Sequence, residues 1–171
     1  SKDYLNWAWE MFGSASNTKF LSLVRGSGNN IIKINRVDQG FNEQISCTSL
    51  NMSGISSSTG QPYPKDLFKV ILIHELAHII QQCNSVTNSN ELTNIVSQEG
   101  YLSSFSANAS TCAPGDNNLT EDFAETITYY LNRNIGEQTY FSACAPINNS
   151  NPFDRGNKPL HLQFAIKLML Q

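Results

Sequence analysis

Charge is scarce in this chain. Only 15% of the residues are charged and the net charge is -3, which leaves no basic face for nucleic acid or an anionic bilayer. Long apolar runs are missing too. The longest, "LFKVILIHELAHII", is broken by Lys69, His74, Glu75 and His78, and falls short of the roughly 18 apolar residues of a membrane span. No cysteine pair has C-x-x-C spacing, so neither a thiolate zinc site nor a thioredoxin-like redox centre is expected. No internal repeat is visible. Because the chain opens on Ser1, its lack of a leader segment carries no information.

What is present is enough chain for a core. A length of 171 residues suits one domain spanning 1–171, expected to act as a monomer. The four cysteines, Cys47, Cys83, Cys112 and Cys144, are even in number and widely spaced. They suit two disulfides, hence an oxidising compartment and a secreted or periplasmic location. Four buried thiols in a cytosolic protein are the bland alternative. Abundant Asn and Ser also fit long polar loops outside the cytoplasm. The triplets "NMS", "NAS", "NLT" and "NNS" match a glycosylation pattern, but a chain so rich in Asn and Ser yields them by chance.

The order of elements points to an α+β chain. "DYLNWAWEMF" places Leu5, Ala8, Trp9 and Phe12 at helical spacing. "KFLSLVR" and "IIKINRV" read as strands joined through "GSGNN" as a hairpin. "EQISCTSL" reads as a third, half-polar edge strand, and "SGISSSTGQPYP" as a loop. A helix should start near Pro64, with Asp66 in its first turn, and run to about Cys83. It is apolar nearly all round, so a buried, central helix is expected. "ELTNIVSQEGYLSSF" reads as a short helix and then loop, and "STCAPGDNN" as loop. Helices follow over 119–134, with Leu119, Phe123, Ile127, Tyr130 and Leu131 near one stripe, and over "PLHLQFAIKLML", with Leu160, Phe164 and Leu168 in register.

Within the apolar helix, His74-Glu75-Leu76-Ala77-His78 is H-E-x-x-H. Four residues are one turn plus a little, so both imidazoles project from one face and can share a metal ion. Glu75 lies one step round, within reach of a water on that metal. Two satisfied core histidines with a chance glutamate are the alternative. The chain has only three histidines, so chance seldom places two of them this way. A catalytic zinc needs a third protein ligand. Extension to H-E-x-x-H-x-x-G-x-x-H fails, because Gln81 and Asn84 occupy the last two slots. A later helix offers "TEDFAE", where Glu121 and Glu125 share a face and Asp122 is turned away by about 100°. Its bland reading is a solvated helix start.

H-E-x-x-H followed by Glu121-Asp122-Phe123-Ala124-Glu125 resembles the gluzincin metallopeptidases. The pattern is similar to small zinc-binding peptidase domains whose second motif reads E-x-x-A-E, and to the catalytic domain of anthrax lethal factor. The likeness covers roughly residues 65–135 and is concentrated in the two motifs. It implies a zincin-like fold, with a small mixed sheet and an edge strand over a central H-E-x-x-H helix, then C-terminal helices. It implies a Zn2+ ion held by His74, His78 and Glu121, with Glu125 supporting a ligand histidine. Periodicity alone does not rank Glu121 against Glu125, and Glu91, Glu99 and Asp122 are weaker candidates.

The implied activity is a zinc-dependent endopeptidase acting on a peptide or protein substrate. Glu75 would take a proton from the attacking water and return it to the leaving amine. The edge strand "EQISCTSL" would align an extended peptide. Tyr101 and His161 are candidate oxyanion stabilisers, Tyr129 and Tyr130 weaker ones. Where lethal factor carries its tyrosine, seven positions before the third ligand, this chain has Pro114, which leaves that role open. A shared zinc would bring the two motif helices together, so Cys83–Cys112 with Cys47–Cys144 is the expected pairing, and Cys112–Cys144 the local alternative. Two further readings compete: an inactive or narrowly specific zinc-stabilised peptide-binding module, and a metal-free structural extracellular domain.

Overall fold

The computed structural model describes residues 15–25, 32–37, 42–56, 60–84, 89–112, 117–133 and 150–170. The chain divides into two compact units, Ser1–Ser85 and Val86–Gln171. The expected opening helix at "DYLNWAWEMF" and the "GSGNN" turn lie outside the described residues. Elements of both kinds make the chain α+β. Among the described residues no helix is long and apolar enough to cross a membrane.

In the first unit, α1 spans Ala15–Arg25. The segment "KFLSLVR" is therefore helix rather than the expected strand. Phe20, Leu23 and Val24 are buried, and their i, i+3, i+4 spacing is a helical stripe. Three strands follow: β1 (Lys33–Val37), β2 (Glu43–Ser46) and β3 (Ser49–Ser53). They form one sheet in the order β1-β3-β2. β1 runs parallel to β3, in register from Lys33↔Ser49 to Val37↔Ser53. β2 runs antiparallel to β3, with an irregularity between Gln44 and Ser46. The expected single strand "EQISCTSL" is thus a hairpin that turns at Cys47-Thr48. Ser46 Oγ accepts from the Thr48 N–H at 3.2 Å and sits 2.9 Å from Ser49 Oγ, so a serine does the work that Gly or Pro usually does in a turn. Central strand β3 buries Leu50 and Met52, two residues apart as the pleat demands, while Asn51 on the other face accepts from Asn35 Nδ2 at 3.2 Å.

The loop after β3 closes on itself through the Ile55↔Pro62 bridge, with Gly60 supplying a φ of +66°. It delivers the chain to α2 (Lys65–Cys83), which starts after Pro64 and carries Asp66 in its first turn. α2 packs against α1, β2 and β3, and is buried at Phe68 and continuously from Val70 to Ile80. Its far end is tied down twice. Asn84 Nδ2 donates to the Leu23 carbonyl at 2.9 Å, and Cys83 is bonded to Cys47 in the hairpin turn.

That disulfide corrects the expected pairing of Cys83 with Cys112 and of Cys47 with Cys144. The hairpin and the helix end belong to one packed unit, and their Cα atoms stand 5.5 Å apart, within disulfide reach. Cys112 is also disulfide-bonded, and Cys144 lies outside the described residues.

The second unit is helical: α3 (Ser89–Glu99), α4 (Ser104–Cys112), α5 (Asn118–Leu131) and α6 (Pro159–Leu170). α3 ends at Gly100, whose φ of +69° and N–H to the Val96 carbonyl make a left-handed stop. α4 occupies a stretch expected to be loop. A reciprocal serine cap starts it: the Ser106 N–H donates to Ser103 Oγ at 3.0 Å, and the Ser103 N–H to Ser106 Oγ at 3.2 Å. Asn117 caps α5, its side chain accepting from the Leu119 and Thr120 N–H groups. The apolar centre of this unit includes Leu92, Leu102, Ile127 and the edge-to-face pair Phe123–Phe164, at 5.9 Å between centroids. α6 buries His161, Phe164, Ala165 and Met169, so its inner face is turned from the expected Leu160–Phe164–Leu168 stripe.

Candidate metal centre

α2 presents His74 and His78 from one face, one turn apart, on the most thoroughly buried helix of the first unit. Their side chains are 3% and 7% exposed, and their rings stand edge to face at 85° with centroids 4.8 Å apart. The two Nε2 atoms are 3.2 Å apart. Two imidazole nitrogens bound to one tetrahedral zinc at 2.0–2.1 Å would stand about 3.3 Å apart, so the pair has the spacing of two ligand positions on a single ion. Glu75, also buried, follows His74 and is turned from it by about 100° about the helix axis. The apolar neighbours Ile71, Leu72, Ile79 and Ile80 are buried, and close packing in an interior restrains the face they surround.

In the second unit, α5 buries three acids in its first two turns: Glu121, Asp122 and Glu125. Asp122 is wholly committed inside that unit. Its Oδ1 accepts from the Leu102 N–H at 2.6 Å and from Ser106 Oγ at 2.8 Å, and its Oδ2 faces His161 Nε2 at 2.9 Å. Glu99 is likewise engaged, with Oε1 accepting from the Leu160 N–H at 2.7 Å and Oε2 2.8 Å from His161 Nδ1. Glu91 pairs with Lys167 at the surface. Of the weaker third-ligand candidates, all three therefore have other partners. Among the described residues, the buried His74 and His78 of the first unit and the buried Glu121 of the second are groups that could hold a metal ion. Two imidazoles and a carboxylate form a donor set suited to zinc.

The candidate oxyanion stabilisers differ in what surrounds them. His161 is fully buried with a carboxylate at each ring nitrogen, so aiding an oxyanion would require giving up one of those bonds. Tyr101 is half-buried, and its backbone carbonyl accepts from Lys158 Nζ at 2.6 Å. Tyr129 is buried and Tyr130 half-buried on α5. Sequence reasoning missed the Glu99–His161–Asp122 cluster. Its one available signal was a histidine in a largely apolar helix, which must find polar partners once buried.

Comparison with family models, with curated proteins and with solved structures found no match.

Proposed function

We propose that this chain is a zinc-dependent endopeptidase of gluzincin type on a zincin-like fold, with His74, His78 and Glu121 holding the ion. One observation carries the reading: two buried imidazoles 3.2 Å apart at Nε2, on a rigid helix, with a buried glutamate directly after the first. A purely structural zinc site has no need for Glu75 and closes its fourth position with another protein ligand. Bound zinc would supply a Lewis acid for a carbonyl and a water acidic enough to ionise near neutrality. Glu75 would accept the proton of the attacking water and deliver it to the leaving amine. Glu125 would accept the N–H of a ligand histidine and so fix its tautomer. The substrate would be a peptide or protein chain lying extended along the β2 edge of the sheet, a mode that uses free strand N–H and C=O groups. The disulfide Cys47–Cys83 favours an oxidising compartment, and we assign the protein as secreted or periplasmic and monomeric.

The test compares wild type with Glu75→Gln by metal analysis and by cleavage of a peptide library. The expected result is about one zinc per chain in both, with hydrolysis lower by about 10²–10⁴-fold in the variant. A wild-type chain that retains no divalent ion ends the metal reading. Zinc bound while no peptide is cut would replace the peptidase with a zinc-stabilised peptide-binding module.

A further inference from the structure

The second unit contains a buried polar cluster that the proposed chemistry does not use. His161, in the first turn of α6, has no exposed surface. Its Nδ1 lies 2.8 Å from Glu99 Oε2 and its Nε2 2.9 Å from Asp122 Oδ2. Both ends of this chain of contacts continue. Glu99 Oε1 and Oε2 accept from the Leu160 and His161 N–H groups, so the carboxylate caps α6 at the positive end of its dipole. Lys158 Nζ donates to the carbonyls of Glu99, the last residue of α3, and of Tyr101 just beyond it. Asp122 takes the Leu102 N–H and the Ser106 hydroxyl on its other oxygen. The end of α3, the turn after it, α4, α5 and the start of α6 thus meet on three side chains.

Such a cluster is expensive to bury unless each member is satisfied, and here each carboxylate accepts a backbone N–H on one oxygen and has a His161 ring nitrogen within 2.9 Å of the other. Its consequence for α5 is rotational. Asp122 is adjacent to Glu121, and it is gripped from three separate segments. A turn of α5 by about 20° about its axis would move a glutamate carboxylate, some 6 Å from that axis, by about 2 Å. Metal–ligand distances tolerate only about 0.2 Å. α5 can make no such turn while Asp122 keeps its bonds.

We propose that His161 is a positioning residue: by bridging Glu99 and Asp122, it locks the rotation of α5 and so sets where the Glu121 carboxylate stands. This rests on the reading of Glu121 as a metal ligand. Outer partners that orient ligands typically cost about 10–100-fold in metal affinity when removed.

The test measures zinc affinity by chelator competition for wild type, His161→Ala, His161→Gln and Ser106→Ala. Two companion readouts are melting in EDTA and the visible spectrum of the cobalt-loaded protein, which senses ligand geometry. His161→Ala should bind zinc about tenfold or more weakly and shift the cobalt bands. His161→Gln, whose amide can still reach one carboxylate, should recover part of the loss. If His161→Ala does not fold, His161→Gln and Ser106→Ala carry the comparison, each expected to weaken zinc by more than about twofold. Variants that melt earlier in EDTA but keep wild-type zinc affinity and an unchanged cobalt spectrum would make the cluster purely structural and overturn the inference alone. A wild type that binds no metal overturns the metal reading, and this inference with it.

Discussion

Replacing Cys47 and Cys83 together by alanine should destabilise the chain substantially. The bond closes a loop over a sequence separation of 36 residues. Chain-entropy theory assigns a loop of that size about 4 kcal/mol at 25 °C, by restricting the unfolded ensemble. The native side gives little back, because Asn84 still bonds the Leu23 carbonyl and α2 keeps its apolar packing against α1, β2 and β3. The double substitution leaves Cys112 and its bond untouched, which reduction with thiol would not. Urea unfolding of the two proteins in EDTA measures the difference, and alkylation with mass analysis confirms the thiol count. A double variant within about 1 kcal/mol of wild type would refute the reasoning. Either the unfolded chain would be compact without the bond, or the bond would not bind the helix end to the hairpin.

Two further outcomes are expected. Glu121→Gln should abolish stoichiometric zinc binding, whereas Glu125→Gln should retain zinc with affinity lower by about 10–100-fold, and the reverse order would make Glu125 the ligand. Glu99 gives a pH signature. Burial pushes its carboxyl up, but the Leu160 N–H, the His161 ring and the His161 N–H outweigh this, and its pKa lies below the ordinary value. A depressed carboxylate adds stability above its unfolded pKa of about 4.3, and that stability is lost as pH falls through the folded value. Glu99→Gln should therefore show a shallower loss of stability in acid than wild type; parallel urea midpoints from pH 7 down through the acid range would contradict this.

The legible parts of this chain were those where one signal dominated. α2 could be placed within a residue at both ends, because Pro64, Asp66 and an unbroken apolar run agree. α5 and α6 were visible from their period, although α5 ends at Leu131. H-E-x-x-H fixed the face on which His74 and His78 stand, since helix geometry alone dictates it. The errors came where short stretches carried mixed signals. "KFLSLVR" is rich in residues that suit a strand, yet Phe20, Leu23 and Val24 bury as one helical stripe. The hairpin turn at Cys47-Thr48 has neither Gly nor Pro and is held by the Ser46 hydroxyl, which leaves no strong mark in a sequence. α4 mixes small polar and apolar residues and buries only Ser106 and Ala109, so it has no periodic apolar face to read. The disulfide was misassigned because pairing follows packing, and the hairpin that carries Cys47 against α2 was not recognised.

The three acids of "TEDFAE" show how burial and charge together narrow the site. Taking a carboxylate out of water costs several kcal/mol, and α5 buries three of them within two turns. For Asp122 the offset is in view: a backbone N–H, a hydroxyl and an imidazole, all from its own unit. Glu121 and Glu125 stand on a different face, one turn apart, where like charges repel. α5 has no Lys, Arg or His along its length to offset them. A divalent cation is one group that could offset two such carboxylates. On α2, two buried imidazoles stand at the separation that such a cation imposes. The proposed zinc would give the histidine pair a reason for its spacing.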